Sequence, residues 1–151
     1  MKYNLSVLFV FIIGSFVSAQ GYKTAVGFKG GYPGYGSISV KHYLNSINAI
    51  EANLGAGLNG LTVQGLYEWN HALPTSGLNW YLGVGPNIGL LSNKSINGST
   101  FYLSGSGLIG IEYVFENLPL DLALDAGPII QVIPSFGLGW GGGIAVRYTL
   151  K

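Results

Sequence analysis

The chain has 151 residues, of which 9% are charged, 48% are hydrophobic and 25 are glycine, and its formal net charge is +1. That length suits one domain, so few charges cannot cover a water-soluble surface, where about 25% is usual, and the near-neutral balance gives no electrostatic case for nucleic acid. With no cysteine in the chain, disulfides, thiol catalysis and cysteine-held metals are excluded.

In chain order, the first element is a targeting segment. Lys2 precedes an apolar run from Val7 to Val17, and Val17-Ser18-Ala19 is small where a signal peptidase reads. This three-part pattern predicts a secretory signal over residues 1–19, leaving a mature domain over 20–151. The run is shorter than the ~20 apolar residues a spanning helix needs. No cysteine follows it, which excludes a lipoprotein.

Beyond the signal, apolar–polar alternation predicts eight strands, at 22–32, 36–44, 47–57, 60–70, 78–89, 101–115, 119–132 and 138–150. Most are near the ~9–11 residues of a tilted membrane strand. Turn residues separate them: Pro33-Gly34, Asn45-Ser46, Asn59-Gly60, Pro74-Thr75-Ser76-Gly77, Asn97-Gly98, Asn117-Leu118-Pro119 and Pro134-Ser135.

Sorting each strand by parity separates two faces. One carries Val26, Phe28, Ile38, Val40, Ile50, Leu54, Val63, Leu82, Val84, Ile109, Ile111, Leu122, Leu124, Ile144 and Val146. The other carries Lys29, Lys41, Glu51, Asn53, Gln64, Glu68, Asn87, Ser104, Ser106, Glu112, Asp121, Asp125 and Arg147. Parity does not say which face is inside, and a lipocalin-like soluble barrel would turn the apolar face inward. Three features oppose that. Gly27, Gly55, Gly83, Gly85, Gly127, Gly139, Gly141 and Gly143 share the polar face, and glycine belongs where interlocking side chains crowd a narrow interior. That face mixes cations with acids that can pair. The apolar face carries aromatics towards the strand ends: Tyr22, Tyr67, Trp69, Trp80, Tyr113, Phe115 and Tyr148 towards one rim, and Tyr32, Phe101 and Trp140 towards the other. Aromatic girdles mark the two water interfaces of a membrane barrel. The expected fold is an all-β, eight-stranded antiparallel up-and-down transmembrane β-barrel with a packed polar interior.

Some positions depart from the pattern. Leu66, Leu108 and Ile129 fall on the polar face, and His42 falls on the apolar one. Pro86 and Pro128 lie inside strands, where a missing donor predicts bulges. With the N-terminus on the periplasmic side, the outer connections are 33–36, 57–60, 89–100 and 132–138, and the inner ones are 44–47, 70–77 and 115–119. Only 89–100 is a long outer loop, so the outer surface is small.

The residues Ile111-Glu112-Tyr113, Glu116-Asn117-Leu118-Pro119-Leu120, Leu124-Asp125, Pro128, Ile133-Pro134, Gly142-Gly143-Ile144 and Arg147-Tyr148 resemble the last two hairpins of the small outer-membrane β-barrel domain proteins common in Bacteroidota. That family is similar in architecture to the eight-stranded OmpX and OmpA barrels. The resemblance implies a Gram-negative outer-membrane location and insertion by the barrel-assembly machinery. It implies no activity. The chain departs from many such barrels by ending Tyr148-Thr149-Leu150-Lys151 rather than on an aromatic residue.

Candidate chemistry is sparse. The inward charges Lys29, Lys41, Glu51, Glu68, Glu112, Asp121, Asp125 and Arg147 are expected to form a structural salt-bridge network, because buried charges need partners. His42 and His71 are the only histidines, and neither has a serine two residues on, as outer-membrane lipid-modifying enzymes do. His71 is expected to be a turn residue. The glycine run Gly139–Gly143 lacks the Gly-Lys-Ser/Thr ending and following helix of a phosphate loop. No catalytic site, metal cluster or cofactor is expected. Outer-membrane lipids and the assembly machinery are the expected partners. The functional expectation is a structural or surface-interaction barrel without catalysis. The alternatives are a narrow pore for small solutes and, below that, a lipid-modifying enzyme.

Overall fold

A computed structural model of the chain describes residues 22–33, 35–57, 60–93 and 96–150; the expected signal segment lies outside them. Eight strands follow one another: β1 (Thr24–Tyr32), β2 (Tyr35–Tyr43), β3 (Asn48–Gly57), β4 (Gly60–Ala72), β5 (Leu78–Asn93), β6 (Gly98–Val114), β7 (Leu120–Ile133) and β8 (Gly137–Leu150). Each pairs antiparallel with the next, and β8 closes on β1. Short polar turns make this the cheapest connectivity. In the turn after β2, for example, Asn45 Oδ1 accepts from the amides of Ile47 and Asn48 at 2.9 and 2.8 Å and so reverses the chain locally. Thr24 and Leu150, with turns 44–47, 73–77 and 115–119, mark the terminal end of the barrel. The other connections lie at the loop end.

The register fixes the shape. Gly27 on β1 faces Arg147 on β8 directly. Followed the other way round, through Ser39, Asn53, Gln64, Asn87, Ser104 and Gln131, the pairs arrive at Gly137. The stagger is therefore 147 minus 137, ten residues. At ~3.3 Å per residue and ~4.8 Å between strands, eight strands so staggered tilt by about 41°. Such a barrel is wide enough for side chains and little else.

The two faces separate as parity predicts, with the apolar one outward. Phe28, Ile109 and Ile144 are 73%, 59% and 62% exposed, while Lys41, Glu68 and Glu112 are wholly buried. This inverts a soluble protein and is stable only with hydrocarbon against the wall. A one-residue register slip of a strand would turn that strand's buried charges outward. Leu66, Leu108 and Ile129 are buried in the bore.

Three expectations need correction. The 89–100 connection is mostly strand, because the alternation continues through outward Leu90 and Phe101 and inward Gly89 and Tyr102, which pair across β5 and β6. Pro86 and Pro128 do not shift the register. Instead the ladder opens around them, between Gln64↔Asn87 and Tyr67↔Val84, and between Ser106↔Ile129 and Ile109↔Ala126, then resumes in step. Each opening sets Gly-Leu opposite Gly-Pro, and the glycines let the strands pass the missing donor without an inserted residue. The register shift between β6 and β7 lies elsewhere, between Leu103 and Ser104. Tyr22, assigned to the outer wall, is buried in the mouth of the bore, because it precedes β1 and escapes the strand's alternation.

The wall is uneven. The nine residues of β1 and the 17 of β6 correspond to roughly 22 Å and roughly 42 Å of height at this tilt. The terminal end is nearly level, so the difference falls at the loop end. There β1 and β2 stop short and β5 to β8 stand above them.

Candidate functional site

The closed bore brings together all eight charged residues singled out from the sequence, none more than 6% exposed. They come from seven strands: Lys29 from β1, Lys41 from β2, Glu51 from β3, Glu68 from β4, Glu112 from β6, Asp121 and Asp125 from β7, and Arg147 from β8. Inward parity does this, and the stagger sets them at stepped depths.

Arg147 is the hub. Its Nε donates to Ser39 Oγ at 2.9 Å, its Nη1 to Asp121 Oδ2 at 2.9 Å, and its Nη2 to Glu51 Oε2. Glu51 also accepts from Lys29 Nζ at 2.9 Å and from Asn53 at 2.7 Å. Lys29 turns its second bond to Asp125 at 2.6 Å. On the other side Lys41 Nζ donates to Glu112 Oε1 at 2.8 Å and to Asn70 at 2.9 Å. Its Nζ also lies 2.8 Å from Glu68 Oε2, off the line of a hydrogen bond, so neither Glu68 oxygen has a well-directed donor. Arg147 and Glu112, at 3.9 Å, join the two halves. The result is one connected network, held by charge-assisted bonds in a site with little water to compete for them.

Tyrosines complete it. Tyr81, wholly buried, donates to Asp125 Oδ2 at 2.7 Å, and Lys41 Nζ lies 4.7 Å from its ring centre. Tyr43 and Tyr22 both donate to Glu112 at 2.9 Å, with their rings edge-on 5.4 Å apart. They close the terminal end. Burial, with the Glu112 carboxylate beside it, pushes the Tyr22 phenol well above its ordinary range and keeps it a donor. These three tyrosines were missed in the sequence. Tyr81 sits between Trp80 and Leu82 in an apolar run, and only its parity with Asn79 and Gly83 marks it as inward.

Towards the loop end the bore changes character. Asn53 donates to Gln64 at 3.0 Å, and Asn87 donates to Ser104 and Ser106 at 2.8 Å each. Charges give way to amides and hydroxyls. A cavity of about 20 Å³ lies here between Lys29, Ser37, Asn53, Thr62 and Gln64, room for about one water. Asn53 keeps Oδ1 without a protein partner.

The remaining candidates lie apart from the network. His42 hydrogen-bonds Thr24 across the outer wall at 2.9 Å. His71 is the penultimate residue of strand β4 rather than a turn residue, and its ring stacks on Trp80 at 4.7 Å. Among the described residues no three His, Cys, Asp or Glu side chains are placed to hold a metal. The aromatics Tyr67 and Trp69 pack edge-on at 5.0 Å, as do Tyr113 and Phe115 at 4.8 Å, near the terminal end. Tyr32 and Tyr35 pack similarly at 5.9 Å near the loop end.

No protein-family model matches the sequence, and no curated protein matches it either. A solved structure shares the architecture. The chain is similar to the N-terminal β-barrel domain of Pseudomonas aeruginosa OprF, with a TM-score of 0.60 and 14% identity over 85% of this chain and 98% of that one. At that identity the likeness is one of fold.

Proposed function

We propose that the chain is an integral outer-membrane barrel of a Gram-negative cell that works as a structural wall element and not as an enzyme or a conduit. Export by the 1–19 signal and insertion by the barrel-assembly machinery belong to this reading, as does kinship with the small Bacteroidota barrels. One observation carries it: the bore is crossed by a connected ion network from Asp121 and Glu112 to Asp125, with Tyr22 and Tyr43 closing the terminal end. To pass, a solute would have to break several buried charge-assisted bonds at once, at about 3–5 kcal/mol for each stranded charge. The architecture of the OprF domain supports the membrane setting.

Fractionation combined with planar-bilayer recording tests this. The protein should band with the outer membrane, and the purified barrel should give no steady conductance. Reproducible ohmic steps would reassign it as a narrow pore. Altered lipid A in a deletion strain would reassign it as a lipid-modifying enzyme.

A further inference from the structure

Of the eight buried charges in the bore, five are acids and three are cations, and the donors are unequally shared among the acids. Glu51 accepts from Arg147, Lys29 and Asn53. Asp125 accepts from Lys29, Tyr81 and the Gly143 amide. Glu112 accepts from Lys41, Tyr22 and Tyr43, and Asp121 from Arg147. Glu68 is wholly buried, and neither of its oxygens has a directed donor among the described residues. Lys41 Nζ lies 2.8 Å from Glu68 Oε2, but its bonds go to Glu112 and Asn70.

The register sets Glu68 beside a second acid. On β3 and β4, Glu51 faces Leu66 and Ala49 faces Glu68, so the two glutamates are diagonal inward neighbours within reach of each other. Their carboxyl groups lie within hydrogen-bonding distance. The other elements around Glu68 bring it no donor. On β5 its register partner is Gly83, and the Tyr81 phenol turns to Asp125. On β8 Arg147 turns to Ser39, Asp121 and Glu51.

We infer that Glu68 is a proton-binding site: in the folded barrel at neutral pH it is a neutral carboxylic acid whose O–H donates to Glu51. Two carboxylates touching in a low-dielectric space repel, and one proton between them turns the repulsion into a hydrogen bond. The lone pairs say which acid carries it. Those of Glu51 are claimed by three donors, two of them cationic, and a proton there would displace one. Those of Glu68 are unclaimed, and its carbonyl oxygen can still face Lys41. Four carboxylates then meet three cations, and the phenols on Glu112 and Asp125 offset the remainder. A metal ion fits the place less well. Lys41 already occupies the approach, and among the described residues no three His, Cys, Asp or Glu side chains converge on one point. The site belongs to the packed bore and is independent of what the barrel does for the cell.

The test uses the refolded barrel in lipid vesicles at neutral pH. Its infrared spectrum should show the C=O stretch of a protonated carboxyl group, shifted in heavy water, and Glu68→Gln should remove that band. On urea unfolding, the parent should release about one proton per chain more than Glu68→Gln, read with an indicator dye in weak buffer, because the unfolded side chain ionises. Stability should separate the two acids. Glutamine copies the neutral acid, donor included, so Glu68→Gln should leave the unfolding constant within about tenfold. Glu51→Gln removes the charge that Lys29 and Arg147 face and should raise it by about a hundredfold or more. If a variant does not fold, the parent's own band and proton release decide. The inference is overturned by a parent without the acid band, by a band that survives Glu68→Gln unchanged, or by equal losses from the two substitutions. It is overturned as well if sodium stabilises a band-free parent more than an equal concentration of a bulky organic cation, which would give the site to a metal ion.

Discussion

Replacing Arg147 by leucine asks whether the bore is sealed. Arg147 is the sole hydrogen-bond donor to Asp121 among the described residues: Oδ2 takes its Nη1, and Oδ1 has no partner. Asp121 is itself wholly buried. Arg147→Leu therefore strands a carboxylate in a low-dielectric space. Glu51 loses one bond but keeps Lys29 and Asn53, so its share is smaller. Breaking a buried pair from one side costs about 3–5 kcal/mol, most of it the desolvation of the charge left behind. Urea unfolding in lipid vesicles, followed by heat-modifiable gel mobility, should show a loss of that size. Adding Asp121→Leu removes the stranded charge and should recover about 2 kcal/mol or more, a coupling that independent sites would not show. If Arg147→Leu alone lies within about 1 kcal/mol of the parent, solvent reaches Asp121, and the sealed bore fails with it.

Other perturbations probe the mouth, the packing and the wall. Tyr22→Phe removes the phenol that donates to buried Glu112 and should cost about 1.5–3 kcal/mol, the range for a bond to a charged group. An unchanged urea midpoint would mean that Tyr22 does not plug the mouth. A Cβ on Gly110 would fall on the Tyr81 ring, so Gly110→Ala should destabilise by about 1–3 kcal/mol. Tyr81→Leu in the same chain should mask that loss in the same unfolding assay. Ile144→Arg places a cation on the outward wall, where Ile144 is 62% exposed. A cost of about 2–4 kcal/mol is expected in vesicles if hydrocarbon lies against it, and no cost would mean that water does.

Much of the fold was legible because alternation is a local signal. Leu120 to Asp125 announce two faces without any neighbour, and the glycines and paired charges say which face is inside. The strand ends were less legible. Gly89, Leu90, Phe101 and Tyr102 continue the alternation, but the polar, turn-rich stretch between them suggested a loop reaching further into the chain than it does. The two prolines were misjudged because the glycine opposite each one lies on another strand. Which cation meets which acid could not be read at all: the partners of Arg147 come from β2, β3 and β7, and the ten-residue stagger that aligns them emerges only when the register is closed around the barrel. Tyr22 was misplaced for a related reason, since the residue before a strand is not bound by its parity.

The same closure explains the glycines. Tyr81 has Gly110 as its register partner, Arg147 has Gly27, Glu68 has Gly83 and Tyr102 has Gly89, and Ile129 reaches over Gly141. In each pair one strand supplies a long side chain and its neighbour supplies none. Eight strands leave a narrow bore, so these long inward side chains are accommodated beside an empty place, while others, such as Glu51 between Lys41 and Leu66, share their level with a partner. The sum is a filled interior that spans its width with few side chains, each held by the network or by packing. A wider barrel could have kept its charges hydrated and its lumen open. This one pairs size against absence of size, and the pairing makes closure a property of the register itself rather than of a loop folded in from outside.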